Sequence, residues 1–155
     1  MEILEKIKNR SAKIGVIGLG YVGLPLAVLQ AKTGYHVFGV DEVAGKVDMV
    51  NQGKNYILDV EDSELREVVE QKRLEATTDF SVLRQCDIIL ICVPTPLTRN
   101  KEPDISAIVN VLGHLADHSH PNMLVVLEST TYPGTTEEVI LPALTAKGLT
   151  VGKDL

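Results

Sequence analysis

The sequence predicts an α/β fold built on a doubly wound parallel sheet, with helices on both faces. Two observations support this prediction: short apolar runs alternate with helical patterns along the chain, and a glycine-rich turn directly follows the first run. Parallel strands with helices on both sides are buried, which accounts for runs that are almost wholly apolar. The predicted strand order is 3-2-1-4-5-6, which places a ligand crevice beyond the carboxyl ends of strands one and four.

The predicted elements alternate from residue 13 onward. Six strands are expected at KIGVIG (13–18), YHVFGVD (35–41), LEATT (74–78), DIILICV (87–93), NMLVVLES (122–129) and GLTVGKDL (148–155). Helices are expected at 21–34, 42–53, 63–73, 105–118 and 136–147, with a helical turn at 79–86 and a loop at 54–62. The expected helix caps are Asp62 or Ser63, Asp104, and the capping-box pair Thr135 and Glu138.

Composition restricts the class of protein. The chain has 155 residues, of which 45% are hydrophobic and 23% charged, and this fits one globular domain with a buried core. A net charge of −6 without a basic stripe argues against nucleic acid as a partner. The longest apolar run, at 88–93, is too short to span a bilayer, and no signal-peptide core is visible. The two cysteines, Cys86 and Cys92, imply no disulfide framework, so we expect a cytoplasmic protein without membrane association.

Three glycines, Gly18, Gly20 and Gly23, have the spacing G-x-G-x-x-G between a buried strand and a helix. In such a turn the first glycine permits the sharp bend, the second lets a pyrophosphate approach the backbone, and the third allows close helix packing. Free N–H groups near Tyr21 and Val22 would then face the phosphates. A glycine-rich turn without a ligand is the alternative interpretation.

Asp41 ends the second predicted strand, about 20 residues after the glycines, where a Rossmann-type fold places its ribose acceptor. This context favours a dinucleotide over a simple turn. The carboxylate would accept hydrogen bonds from the adenosine ribose and would repel a 2′-phosphate, and Glu42 adds to the negative charge. The sequence therefore predicts NAD rather than NADP as the cofactor.

Five segments of the chain occur together, in this order, in one known family. They are IGLGYVGLPLA, VFGVD, DIILICVPTPL, EPDIS and LESTTYPGTTEEV. Together they resemble the N-terminal domain of the nucleotide-sugar 6-dehydrogenases, the UDP-glucose/GDP-mannose dehydrogenase family, and the resemblance runs from about Lys13 to the end. ESTTYPGTT looks closest to the UDP-N-acetyl-D-glucosamine 6-dehydrogenase branch. The resemblance implies an oxidoreductase of polysaccharide biosynthesis that takes the C6 alcohol of a UDP-N-acetylhexosamine to the carboxylate with two NAD⁺. UDP-glucose is the alternative substrate.

The resemblance also implies three cofactor contacts beyond those of the turn and the ribose acceptor. Lys46 corresponds to a basic residue near the adenosine end, although its position would equally allow a pair with Asp48. Thr95 corresponds to a residue beside the cofactor in the loop after strand four. Thr130 corresponds to a threonine near the nicotinamide, with a supporting role at the reacting centre. One extra residue in this loop leaves Thr131 as an alternative to Thr130.

The family's covalent cysteine, with its lysine and asparagine, lies in a region that would follow residue 155. The resemblance therefore implies that residues 1–155 form the NAD-binding domain of a longer polypeptide, without catalytic residues of their own and inactive alone. The full-length protein is expected to be a homo-oligomer that takes a UDP-sugar as substrate. A stand-alone NAD-binding or regulatory module remains open. A complete small reductase is disfavoured, because no tyrosine is followed by a lysine four positions later.

Two features near these motifs have simpler interpretations. Cys92 ends the fourth predicted strand near the crevice, but nothing beside it is an obvious activating base, so we expect a buried core thiol. His114 and His118 have a spacing that can bind zinc, and His120 follows. Because no third strong ligand is evident, we predict solvated histidines near a helix end and no metal site.

Overall fold

A computed structural model describes residues 3–155. Its elements in chain order are α1 (Ile3–Lys8), β1 (Lys13–Ile17), α2 (Gly23–Lys32), β2 (His36–Val40), α3 (Ala44–Asn51), α4 (Asp62–Glu70), β3 (Leu74–Thr77), a 3₁₀ helix (Phe80–Gln85), β4 (Ile88–Ile91), α5 (Ser106–His118), β5 (Leu124–Leu127), a π-helical turn (Thr136–Ile140) and α6 (Leu141–Thr145). Among residues 3–155, no helix is both long and apolar enough to cross a membrane.

The five strands form one parallel sheet in the order β3-β2-β1-β4-β5. The strand β1 lies at its centre, where Gly15 pairs with Phe38 on one side and with Ile89 on the other. The first connections run outward through β2 to β3, and the chain then returns to build β4 and β5 on the opposite side. This reversal confirms the predicted doubly wound, Rossmann-type fold and places a crevice between β1 and β4.

Alternate residues of each central strand enter two separate cores. Val16 and Leu90 belong to a cluster that packs against α2, α3 and α4. Their neighbours Ile17 and Ile91 belong to a second cluster, formed with the 3₁₀ helix, α5 and α6. Because successive strand side chains point to opposite faces, an unbroken apolar run supplies both cores at once. Helices therefore cover both faces, as the apolar runs predict.

The predicted sixth strand at 148–155 is wrong for the residues that the structure describes, because this segment forms turns instead. Gly148 and Gly152 adopt φ values of +84° and +80°, which an extended strand does not contain. The segment folds back so that the carbonyl of Asp154 accepts a hydrogen bond from the Asn122 N–H at 2.7 Å, just before β5.

Two of the predicted helix caps are also wrong. The helix α4 begins at Asp62 rather than after it, and the Asp62 carboxylate accepts the Asn55 N–H at 3.1 Å instead of capping the helix. Thr135 precedes the π-helical turn with φ −52° and ψ −38°, already helical, so its hydroxyl donates backward to the Tyr132 carbonyl at 2.8 Å. Asp104 lies one residue before the N-cap position of α5, which is Ile105, but its carboxylate does accept the N–H of Ser106, the first residue of the helix, at 2.9 Å.

Candidate functional site: a dinucleotide cleft

The glycine-rich turn joins β1 to α2 and is fixed to both neighbouring strands. Gly18 has φ +91° and donates its N–H to the Val40 carbonyl at 2.8 Å. A Cβ on Gly18 would lie 2.5 Å from the Cys92 carbonyl oxygen, and one on Gly23 would lie 1.7 Å from the Gly18 oxygen. The predicted bend at Gly18 is thus confirmed, while Gly23 packs first against the turn itself rather than against the sheet.

Gly20 is different, because a Cβ built on it meets no protein atom within 4 Å. No packing or backbone constraint of the protein therefore requires a glycine here. The N–H groups of Gly20, Tyr21 and Val22 also donate no hydrogen bond to any acceptor within residues 3–155, and α2 begins directly after them. An open approach to unpaired N–H groups at a helix N-terminus is the arrangement that binds phosphate. These residues fit the pyrophosphate of a dinucleotide.

Asp41 connects the end of β2 to the turn. It is 8% exposed, and its Oδ2 accepts the Leu19 N–H at 2.8 Å while its Oδ1 accepts the Val43 N–H at 2.9 Å. The Lys46 Nζ lies 3.4 Å from Oδ2, so Lys46 pairs with Asp41 rather than with Asp48. Three donors on a carboxylate with about four acceptor sites leave Oδ1 able to accept one further bond. A ribose hydroxyl is a suitable donor for it.

Two adjoining cavities form one cleft along the carboxyl ends of the strands. The first, of about 200 Å³, has an apolar wall that includes Phe80 and Val111 and suits a flat aromatic ring. The second, of about 360 Å³, runs from the turn to the ends of β4 and β5. Both cavities are lined by Gly18, Asp41, Lys46, Val93 and Pro94.

The far end of the cleft is formed by the loops after β4 and β5. Thr95 and Thr130 both line it, and the Thr95 hydroxyl donates to the Thr130 carbonyl. Ser129 donates to the Val93 carbonyl at 2.8 Å and joins the same two loops. The hydroxyl of Thr131 instead bonds that of Thr135 at 2.9 Å. The structure thus brings Thr130, and not Thr131, to the cleft beside the other predicted cofactor residues.

Cys92 also lines this cleft but is only 6% exposed. Burial, and secondarily the nearby Glu128 carboxylate, raises the pKa of the Cys92 thiol to about 12. A thiol with that pKa is protonated at neutral pH and is a poor nucleophile. The burial of Cys92 in the first core confirms its interpretation as a buried core thiol.

The predicted histidines lie on the second core's side of the sheet, outside the lining of the cleft. His114 stacks on Phe80 with ring centroids 4.2 Å apart, and the His118 Nδ1 accepts a hydrogen bond from Arg84 at 3.1 Å. Both rings therefore make packing or hydrogen-bond contacts near the helix end, in addition to any solvent contact.

Sequence reasoning missed two residues that touch the site. Tyr56 lies in the predicted loop, and its hydroxyl donates to the Leu19 carbonyl at 2.7 Å. Asn110 of α5 lines the apolar cavity and donates to Glu42 at 2.8 Å. Neither position has a local signal, since the segment around Tyr56 has no periodicity and Asn110 reads as an ordinary helix surface residue.

Comparison with known proteins agrees with this geometry. The sequence profile of the UDP-glucose/GDP-mannose dehydrogenase family, NAD binding domain, matches residues 12–153. A UDP-N-acetyl-D-glucosamine 6-dehydrogenase of Pseudomonas aeruginosa is 37% identical over 87% of this chain and 31% of its own length. A UDP-N-acetyl-D-mannosamine dehydrogenase of Pyrococcus horikoshii is 36% identical over 92% of this chain and 34% of its own.

A solved structure of a related dehydrogenase has the same fold as this chain. The crystal structure of the NDP-N-acetyl-D-galactosaminuronic acid dehydrogenase from Methanosarcina mazei Go1 superposes with a TM-score of 0.85 at 36% identity. The match covers 99% of this chain and 36% of that one, so the chain spans about a third of the length of such relatives. The profile match covers nearly all of the described residues. The chain therefore belongs to the UDP-glucose/GDP-mannose dehydrogenase family, as an NAD-binding domain of that family.

Proposed function

We propose that this domain supplies the NAD site of a nucleotide-sugar 6-dehydrogenase, which oxidises the C6 alcohol of a UDP-N-acetylhexosamine to the carboxylate with two NAD⁺. Residues 1–155 act as the cofactor domain, and the sugar site and covalent nucleophile belong to a region outside them. The whole protein acts in the cytoplasm as a homo-oligomer. Its product is a nucleotide-linked uronic acid for polysaccharide synthesis.

The observation that carries this proposal is the cleft between the carboxyl ends of β1 and β4. Unpaired N–H groups at the start of α2 offer a pyrophosphate site, and Asp41 offers a ribose acceptor at the end of β2. A hydride carrier bound there would extend its reactive ring toward Thr95 and Thr130, where the second cavity ends. The chemistry of the cofactor when bound is hydride transfer, and the domain's own residues bind and orient it.

The choice of sugar rests on the relatives rather than on the cleft. Relatives named for UDP-N-acetyl-D-glucosamine and UDP-N-acetyl-D-mannosamine are 36–37% identical to this chain, and one named for GDP-mannose is 34% identical. A relative from Ralstonia nicotianae named NDP-N-acetyl-D-galactosaminuronic acid dehydrogenase is 42% identical over 81% of this chain. The relatives named for N-acetylated sugars therefore support a UDP-N-acetylhexosamine as the proposed substrate class.

The test is an assay of the complete polypeptide that carries this domain, with NAD⁺ and three sugars: UDP-N-acetyl-D-glucosamine, UDP-glucose and GDP-mannose. We expect NADH formation with the first sugar and two NADH for each sugar consumed. A higher kcat/KM with UDP-glucose or GDP-mannose would overturn the assignment of the sugar. Absence of NADH with every nucleotide sugar, in a chain that binds NAD, would favour a stand-alone binding module.

A further inference from the structure

Tyr56 makes a contact with the phosphate turn that the proposed function does not yet use. The residue lies between α3 and α4, outside every helix and strand, and is partly buried against the first core. Its hydroxyl donates to the Leu19 carbonyl at 2.7 Å. The two residues are 37 positions apart, so this bond joins a distant loop to the middle of the glycine-rich turn.

The Leu19 carbonyl belongs to the same peptide group as the Gly20 N–H. That peptide is trans, since the described residues contain no cis peptide bond, and the carbonyl and N–H of a trans peptide point in opposite directions. A bond that holds the oxygen toward Tyr56 therefore turns the Gly20 N–H away from Tyr56. Gly20 lines the cleft and Tyr56 does not, so an N–H turned away from Tyr56 is the one that a cofactor in the cleft could reach. A hydrogen bond to the carbonyl also polarises the peptide and makes its N–H a stronger donor.

Leu19 is fixed at two further points. Its N–H donates to Asp41 Oδ2 at 2.8 Å, and its side chain is fully buried. A Cβ on Gly39 would come within 2.9 Å of the Leu19 side chain, so β2 and this side chain pack closely. Within residues 3–155, the Tyr56 bond is the one hydrogen bond made by the Leu19–Gly20 peptide group, so it bears directly on the rotation of that peptide plane.

The Tyr56 hydroxyl is a donor across the working pH range. Burial, and secondarily the negative charge of Asp41, raises the pKa of Tyr56 above its ordinary value of 10.0. The phenol therefore stays protonated, as a donor to a carbonyl must.

We propose that Tyr56 is a positioning residue for the cofactor: its hydroxyl holds the Leu19–Gly20 peptide so that the Gly20 N–H faces the pyrophosphate of NAD. The proposal deepens the function proposed above and rests on NAD binding at this turn. It gives the segment between α3 and α4 a role in cofactor affinity, although that segment contributes no side chain to the cleft lining described above.

The test uses Tyr56→Phe, which removes the hydroxyl and keeps the ring. Tyr35→Phe is the matched control, because the Tyr35 hydroxyl also donates to a backbone carbonyl, that of Ile7 at 2.9 Å, away from the turn. We expect Tyr56→Phe to raise the Kd for NAD roughly 2- to 10-fold, the effect of one ordinary hydrogen bond. Tyr35→Phe should leave that Kd unchanged, whatever it does to the melting temperature.

A second readout needs no cofactor. The ¹⁵N resonance of the Gly20 amide senses hydrogen bonding at the carbonyl of its own peptide, so Tyr56→Phe should shift it in the NAD-free protein while Tyr35→Phe should not. An unshifted Gly20 resonance, or equal effects of both variants on NAD affinity, would overturn the proposal. A parent chain that binds no NAD would refute the cofactor site itself, and the amide shift would still decide whether Tyr56 orients this peptide.

Discussion

At the residue scale, Asp41 both holds the glycine-rich turn and faces the cleft, so its substitution by asparagine tests more than the choice between NAD and NADP. Its carboxylate accepts two backbone N–H groups as well as facing the cleft, whereas the amide of asparagine has a single acceptor oxygen. Asp41→Asn should therefore loosen the turn in addition to removing a charge. The neighbouring Glu42 carries a comparable charge but is exposed and bonds the Asn110 side chain.

We predict that substitutions of Asp41 and Glu42 change the preference for NAD over NADP to different extents. Asp41→Asn should lower the ratio of the NADP Kd to the NAD Kd by roughly 5- to 30-fold, the effect of a charge interaction of about 1–2 kcal/mol. It should also weaken NAD itself. Glu42→Gln should lower the ratio less and leave NAD affinity and melting temperature near those of the parent. Calorimetric titration with both cofactors measures this, and equal NAD and NADP affinities in the parent would refute the role of Asp41.

The glycines of the turn should separate binding from stability. Gly20→Val should abolish NAD binding with little change in melting temperature, because its side chain enters open space that the pyrophosphate needs. Gly23→Val places a Cβ 1.7 Å from the Gly18 oxygen, so we expect a loss at or above the upper end of the 1–3 kcal/mol usual for overpacking. Thermal melts with and without NAD distinguish the two. Stabilisation of Gly20→Val by NAD, equal to that of the parent, would mean that the turn does not hold the pyrophosphate.

At the scale of elements, Asp87 joins three segments at the start of β4. Its Oδ1 accepts Lys6 of α1, its Oδ2 accepts the Lys13 N–H of β1 at 2.9 Å, and its carbonyl accepts the Leu124 N–H of β5. Burial raises the pKa of Asp87, but the bonds from Lys6 and the Lys13 N–H outweigh it and hold the pKa below the ordinary 3.8. The native state therefore favours the ionised carboxylate.

We predict that Asp87→Asn lowers the free energy of unfolding by about 1–3 kcal/mol at pH 7, because the amide removes the charge opposite Lys6 and its single acceptor oxygen cannot keep both hydrogen bonds. Because the pKa of Asp87 is lower in the native state, the ionised carboxylate stabilises the fold above pH 3.8, and this stabilisation is lost as the pH falls through the native pKa. The difference in unfolding free energy between Asp87→Asn and the parent should therefore shrink in acid. Urea unfolding at several pH values measures it. The control is Asp117→Asn, since Asp117 pairs with Lys147 on the surface and should change stability little.

Predictability from sequence also differs between elements. The central strands were predictable because a strand buried on both faces must be apolar throughout, as Ile88–Ile91 are. The capping box at Thr135 was not, because Thr135 already has helical dihedral angles and gives its hydroxyl to Tyr132. Tyr56 could not be found at all, since its partner is 37 residues away and local patterns carry no information on such contacts.

At the scale of the whole molecule, the fold separates stability from binding. The two cores lie on the faces of the sheet, whereas the cleft lies at its carboxyl edge and is built from turns and loops. Rigid strands hold these loops in place, and an unpaired N–H at the turn costs little where solvent or a phosphate can reach it. The glycine-rich turn was predictable from its spacing, whereas only the structure shows that Thr130, and not Thr131, lines the cleft after β5.

The last prediction concerns what the 155-residue chain does alone. It should bind NAD but form no NADH from UDP-N-acetyl-D-glucosamine, because the one thiol that lines the cleft, Cys92, is buried and has a pKa near 12. Covalent catalysis needs a thiolate that the substrate can reach, whereas burial of this thiol both raises its pKa and leaves little of it exposed. The assay follows NADH absorbance with the purified chain and saturating NAD⁺. Any NADH formation would contradict this prediction, and Cys92→Ala distinguishes two causes. If turnover disappears in this variant while NAD affinity is retained, Cys92 is the nucleophile. If turnover survives, the oxidation needs no covalent intermediate at Cys92.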